Sequence, residues 1–281
     1  MKLNNPSLYL YLTTVPMHAS GGQMLMPGLG TGFFMDFRID ENKTTRWLIT
    51  NKHVVQGAAE LHMSLHTGNK DANGAITISQ NSFDLVVNNP AVITIFHPAE
   101  DLCGVAWTEL AKAASQNNLV LAAESLSEAI IPSQADLENL SAMEDIITVG
   151  YPTAFRDNAN NLPILRRGVT ASHPGVRFNG ECRGVLDIAS FGGSSGSPVL
   201  VWNEKLVLQD GKVTEQNNRF LLGVQVDGRS FTQDASVVIN NAPTNPAAIA
   251  KVLTPLHLGN YIRAEALLIL KNEIIAQGKF L

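Results

Sequence analysis

Several things are scarce in this chain. Two cysteines, Cys103 and Cys182, are spread over 281 residues. That is too few for the disulfide framework of an extracellular domain, so a reducing compartment is expected. A cytoplasmic location follows, with a secreted or periplasmic one as the alternative. Cys103 sits in an apolar stretch and Cys182 in a polar one, and both read as free thiols outside the chemistry. No run approaches the roughly 18 apolar residues of a membrane-crossing helix; the longest candidate, 264–270, is far shorter, and no membrane partner is expected. Charge is also balanced. Twenty basic against 25 acidic residues give a net charge of −5, which offers no attraction for phosphate backbones, so no nucleic acid is expected as partner. His18, His62, His66 and His97 lack the spacing to carboxylates or thiols that a metal needs and read as surface or loop residues. No metal and no cofactor are expected.

What is present suits a globular chain, with 45% hydrophobic and 16% charged residues. The N-terminus superficially imitates a signal peptide. However, Asn4, Asn5 and Pro6 interrupt the would-be charged region, and the following leucines alternate with Tyr and Thr at the strand period of two, so a strand is expected instead. Short β-rich runs between turn residues cover 8–15, 31–38, 46–50, 75–79, 83–87 and 92–96. Ala, Leu, Glu and Gln at helix-like spacing then take over between 109 and 145, broken at Pro132. Strand signals resume at 146–149, 164–170, 184–188, 198–201, 206–208 and 220–226, with a tight turn expected at Asp210 and Gly211. Residues 261–276 carry apolar positions at helical spacing. The expectation is an all-β dominated fold of two antiparallel six-stranded β-barrels. Its parts are an N-terminal barrel over 1–115, a linker with helical pieces over 116–143, a C-terminal barrel over 144–243 and a helical segment over 244–281.

The chemistry concentrates in three places. The segment GGSSGSP at 192–198 lies between two strand-like runs, where glycines allow a strained loop that turns one serine outward. Ser195 is the candidate nucleophile. A serine hydroxyl needs a base, and the base needs a group that fixes its tautomer. His53 follows the apolar run 47–50, and Asp101 precedes another apolar run.

In that order, His, Asp, Ser, the chain resembles the trypsin/chymotrypsin-like serine peptidases, in particular the bacterial branch without disulfides that includes the HtrA type. The resemblance runs through both barrels: Gly30, Thr31, Gly32, Phe33 and Phe34 before the histidine strand; Thr50 to Val55 around His53; Asp101 and Leu102; Gly150, Tyr151 and Pro152; Gly168 to Ser172; and Asp187, Ala189, Gly193, Ser195, Gly196 and Pro198. It implies a serine endopeptidase acting on protein or peptide substrates through an acyl-enzyme intermediate. His53 would be the base, Asp101 its orienting acid, and the backbone N–H groups of Gly193 and Ser195 the oxyanion hole. It also places Ala189 at the base of the primary pocket, with Gln225, Val226 and Gly228 as substrate-binding neighbours. An uncharged Ala189 predicts small or medium uncharged residues at the cleavage position, unless Asp187 or Asp227 points into the pocket. Val226 stands where a hydroxyl often supports the acid. Ser194 replaces the aspartate that in the trypsin branch pairs with a newly cut N-terminus, so no activating N-terminal cut is expected.

Alternatives stay open at this level. Asp84 also precedes apolar residues and rivals Asp101. His173 and His257 are left open as neighbours of the pocket. Ser195, Asp227 and His257 have the chain order of an α/β-hydrolase esterase, though Ser197 stands where that nucleophile loop has its last glycine and the strands do not alternate with helices. An idle fold used as a binding module is the other reading, and the sequence leaves room for a regulatory protein partner.

Overall fold

The computed structural model describes residues 9–24, 26–71, 76–209, 212–237 and 248–280. The N-terminal half contributes β1 (Thr14–Ser20), β2 (Gly28–Arg38), β3 (Thr44–Thr50), β4 (Glu60–Lys70), β5 (Ile76–Asn88), β6 (Thr94–Phe96), β7 (Cys103–Ala106), β8 (Val120–Leu121) and β9 (Leu126–Ser127). The C-terminal half contributes β10 (Asp145–Gly150), β11 (Ile164–Thr170), β12 (Arg183–Asp187), β13 (Pro198–Gln209), β14 (Lys212–Val237) and β15 (Ala248–Arg263). The expected tight turn at 210 and 211 lies outside the described residues.

The second half is a closed six-stranded barrel in the order β10-β11-β12-β15-β14-β13. The first is a nine-stranded sheet ordered β5-β4-β1-β2-β3-β7-β6, with β8 on β4 and β9 on β2. The architecture is the expected pair of mainly antiparallel β units, but in the N-terminal sheet β9 runs parallel to β2 and, among the described residues, β5 and β6 do not pair. Between those strands Asn89 adopts a left-handed conformation and a 3-10 turn begins at Pro90. The proline has no N–H to give a ladder, and β6 is only 3 residues long.

Other departures have local causes. The expected first strand begins as a 3-10 turn, Leu10–Leu12, closed by Thr13 Oγ1 donating to Leu10 O, so Leu10 and Leu12 are buried before β1 starts. β4 was not anticipated, although Leu61, Met63 and Leu65 alternate inward along it. Within the expected helical segment 244–281, β15 first completes the barrel, and only then does α4 follow.

Helices are few: α1 (Lys52–Val55), α2 (Trp107–Ser115), α3 (Gln134–Glu138) and α4 (Glu265–Gln277). α3 begins in a reciprocal cap between Ser133 and Asp136. α4 ends at Gly278 in a left-handed conformation. Its Ala266, Leu267, Leu270 and Ile274 are fully buried, in one cluster with Phe33, Trp47, Ile95 and Leu102 of the N-terminal half and Val149, Leu200 and Ile262 of the barrel. Each of the larger side chains contributes roughly 1.5–3 kcal/mol by leaving water. The last helix therefore fastens the second half to the first.

Candidate active site

His53 stands in α1, directly after β3. Asp101 accepts two hydrogen bonds from it: the backbone N–H of His53 reaches Oδ1 at 2.9 Å, and ring Nδ1 lies 2.6 Å from Oδ2. A carboxylate can only accept here, so Nδ1 carries the proton and Nε2 is left as the basic lone pair. The side chains are half open to solvent, with His53 at 49% and Asp101 at 27% exposure.

Asp101 is held by its own loop. Asn51 Nδ2 donates to the Asp101 carbonyl at 2.8 Å. The His97 ring lies inside that loop, 2% exposed, and its Nδ1 accepts the N–H groups of Ala99 and Glu100 at 3.1 and 2.7 Å. Lys52 Nζ donates to the His97 carbonyl. The next residue, Glu100, is ion-paired at 2.5 Å with Arg183 of β12, so the loop is also tied to the barrel. His97 is thus a loop residue as expected, though a buried one, whereas His66 is buried on β4 and is neither a surface nor a loop residue.

Burial holds the imidazoles of His66 and His97 below the ordinary histidine value; Lys52 adds to this at His97, while Glu100 and Glu273 oppose it. A lowered folded-state value means the unfolded chain binds more protons in acid. Stability is then complete above the unfolded histidine value of about 6.5 and falls as pH drops below it. The melting temperature should decline between pH 7 and 5.5, more steeply in the wild type than in His97→Asn. Parallel declines would refute the assignment to His97.

Ser195 is placed by Thr31 of β2. Thr31 N donates to Ser195 O at 2.8 Å, and its Oγ1 donates to Gly193 O at 2.9 Å and accepts from Tyr151 N at 3.0 Å. Thr50 Oγ1 donates to Thr31 O. Gly193 (φ +88°) and Gly196 (φ +87°) are both left-handed. A Cβ on Gly193 would run into the Tyr151 carbonyl, and one on Gly196 into the Thr31 carbonyl. Among the described residues the N–H groups of Gly193 and Ser195 have no acceptor.

The Ser195 hydroxyl does not reach His53. It donates to the carbonyl of Val226 at 2.5 Å. β14 carries a bulge between Gln225 and Asp227, which takes Val226 out of the ladder and aims its carbonyl at the serine.

The remaining candidates fall into place around these. Asp84 is paired with Ser64, its register partner, through Oδ1 at 2.7 Å, and makes no bond to His53. Gln225 is 2% exposed and donates through Nε2 to Ser190 Oγ, so it braces a wall rather than lining an opening. Gly228 is exposed, and its missing Cβ makes room for Ser190. Ala189 is half-buried, its carbonyl taken by Arg166 Nη1. Asp187 is exposed on β12, and the side chain of Asp227 lies outside what is described. His173 Nδ1 accepts from Gly175 N in its own turn; His257 is exposed, its carbonyl accepting from Ile188 N. Both cysteines are free. Burial pushes both thiols up, Cys103 furthest and Cys182 to about 11, where neither is a thiolate nucleophile. Among the described residues no three His, Cys, Asp or Glu side chains are grouped to hold a metal ion.

A serine protease is the class that this fold and loop set define. The chain belongs to the trypsin-like peptidase domain family, whose model matches residues 30–208; that span holds His53, Asp101 and Ser195. No curated protein matches the sequence. Among solved structures it is similar to a protease from M. tuberculosis in its active form, at 14% identity over 96% of this chain and 86% of that one, with a TM-score of 0.43. It is also similar to the serine endoprotease from Yersinia pestis (15% identity, 99% and 69% covered, TM-score 0.42) and to an HtrA-type protease with a decapeptide (11%, 99% and 68%, TM-score 0.46).

Proposed function

We propose that the chain is a serine endopeptidase that cuts peptide bonds through an acyl-enzyme, with His53, Asp101 and Ser195 as its triad. The observation that carries this reading is the two-point hold of Asp101 on His53, at backbone and ring, which leaves Nε2 free to take a proton. Ser195 Oγ turns from the Val226 carbonyl toward Nε2 and attacks the scissile carbonyl carbon as its proton passes to His53. The oxyanion is received by the N–H groups of Gly193 and Ser195. His53 then gives the proton to the leaving amine. Water attacks the acyl ester carbon as its proton passes to His53, and His53 returns a proton to Ser195 Oγ as the ester C–O bond breaks, releasing the acid with Ser195 restored.

The bond from Ser195 to Val226 also favours a second reading, a fold that is catalytically idle. Labelling with a fluorophosphonate decides between them. The active triad gives a phosphonylated Ser195 peptide by mass spectrometry, whereas intact folded protein that stays unlabelled supports the idle module.

The oxyanion role makes its own demand. In Gly193→Ala the new Cβ meets the Tyr151 carbonyl in a left-handed backbone, so the donors shift and kcat should fall about 100-fold or more. Gly192→Ala, where a Cβ has no atom within 4 Å, should stay near wild type. Equal losses in both variants would place the defect in the loop as a whole and not in the donor.

A further inference from the structure

β11 carries two adjacent arginines with different fates. Arg167 is 75% exposed and pairs with Asp145. Arg166 points the opposite way, as successive strand residues must, and is half-buried. Its Nη1 donates to the carbonyl of Ala189, and its guanidinium lies over the Phe191 ring, 5.3 Å from the centroid. Arg46, Arg183 and Arg263 each have a carboxylate within 4.0 Å: Asp36, Glu100 and Glu265. Arg166 has none among the described residues. Burial pulls its guanidinium down.

A cation held this way is unusual, because taking it from water without a counter-charge is costly. Its location suggests what offsets the cost. Ala189, Ser190 and Phe191 form the segment that runs into the nucleophile loop, and Ser190 is braced by Gln225 Nε2 and sits against Gly228. These are the residues expected around the primary pocket. Phe191 is 43% exposed, so one side of the stacked pair is open to solvent. The planar guanidinium keeps further donors in a fork that fits a carboxylate. The expectation of small uncharged residues rested on Ala189 and on Asp187 and Asp227 staying out of the pocket; the charge argued here comes from β11.

We propose that Arg166 is the specificity-determining residue of the primary pocket and that the enzyme cleaves after acidic residues. The proposal rests on the serine-peptidase reading above for its reaction, but its recognition step is separable. In Ser195→Ala protein, calorimetry with matched peptides carrying Glu, Gln or Arg at the cleavage position reads binding without turnover. Glu should bind about 10- to 100-fold more tightly than Gln, the range for a charge-assisted contact in a partly buried site. That ratio should approach one in Ser195→Ala/Arg166→Gln, and Arg166→Glu should favour the Arg peptide. In active enzyme, kcat/KM should show the same Glu-over-Gln ratio. Equal binding of Glu and Gln peptides to Ser195→Ala protein overturns the proposal without recourse to any Arg166 variant, as does a ratio that survives Arg166→Gln. Discrimination in binding with no turnover in active protein would instead sink the hydrolase reading and leave the pocket assignment standing.

Discussion

Replacing Ser195 by Ala, or His53 by Ala, should each lower kcat on a peptide substrate by about a million-fold, with little further loss when the two are combined. The non-additivity is the sharper part of the expectation. Ser195 has no base without His53, and His53 has no proton to accept without Ser195, so removing either removes the unit. Neither change should unfold the chain, because both side chains are partly open and the backbone bonds that hold them, Thr31 N to Ser195 O and His53 N to Asp101 Oδ1, survive truncation of the replaced side chain. A double variant far slower than either single would show that the two act separately. A His53→Ala variant with near-normal turnover alongside a dead His257→Ala would revive the esterase alternative.

Asp101→Asn should cost about 10,000-fold, because an amide that donates toward Nδ1 favours the tautomer with its proton on Nε2, where no lone pair faces the serine. Asp84→Asn should stay within a few-fold of wild type, by the roughly neutral behaviour of exposed positions, since Asp84 is an exposed residue of β5 bonded to Ser64. The two single variants, each checked for its melting temperature, make the comparison. A larger kinetic loss in Asp84→Asn with both proteins folded would transfer the acid's role.

Of the residues that the sequence reading set in chain order, His53 stands in the short helix α1 directly after β3, and Asp101 and Ser195 stand on loops between strands. His53 and Asp101 meet through two bonds, whereas Ser195 points to Val226. The order was legible because each loop carries a local signature: a glycine cluster, a histidine after an apolar run, an aspartate before one. What was illegible depends on distant partners. Thr31 looks like one more residue of a glycine-rich strand, yet it ties β2 to the loops at Gly193 and Tyr151. His97 reads as a loop histidine, and its work is to gather the N–H groups that turn the chain toward Asp101. Arg166 is indistinguishable in sequence from Arg167; only the parity of β11 in the barrel separates them. The same holds for architecture. Leu61, Met63 and Leu65 alternate inward along β4, but His62, Ser64 and His66 between and beside them leave the run short of a β-rich composition. Among the described residues β5 and β6 stay unpaired across a turn at Pro90, whose direction no pattern of hydrophobicity encodes.

The position of α4 has a consequence for the order in which the site can settle. Leu102, beside Asp101, is buried in the same cluster as Leu267 and Ile274. Those contacts link segments far apart in sequence, and pairings of that kind form slowly. Until α4 packs, the residue next to the acid lacks its apolar backing, so under the proposed mechanism the base is held at its working angle only after the two ends of this cluster have met.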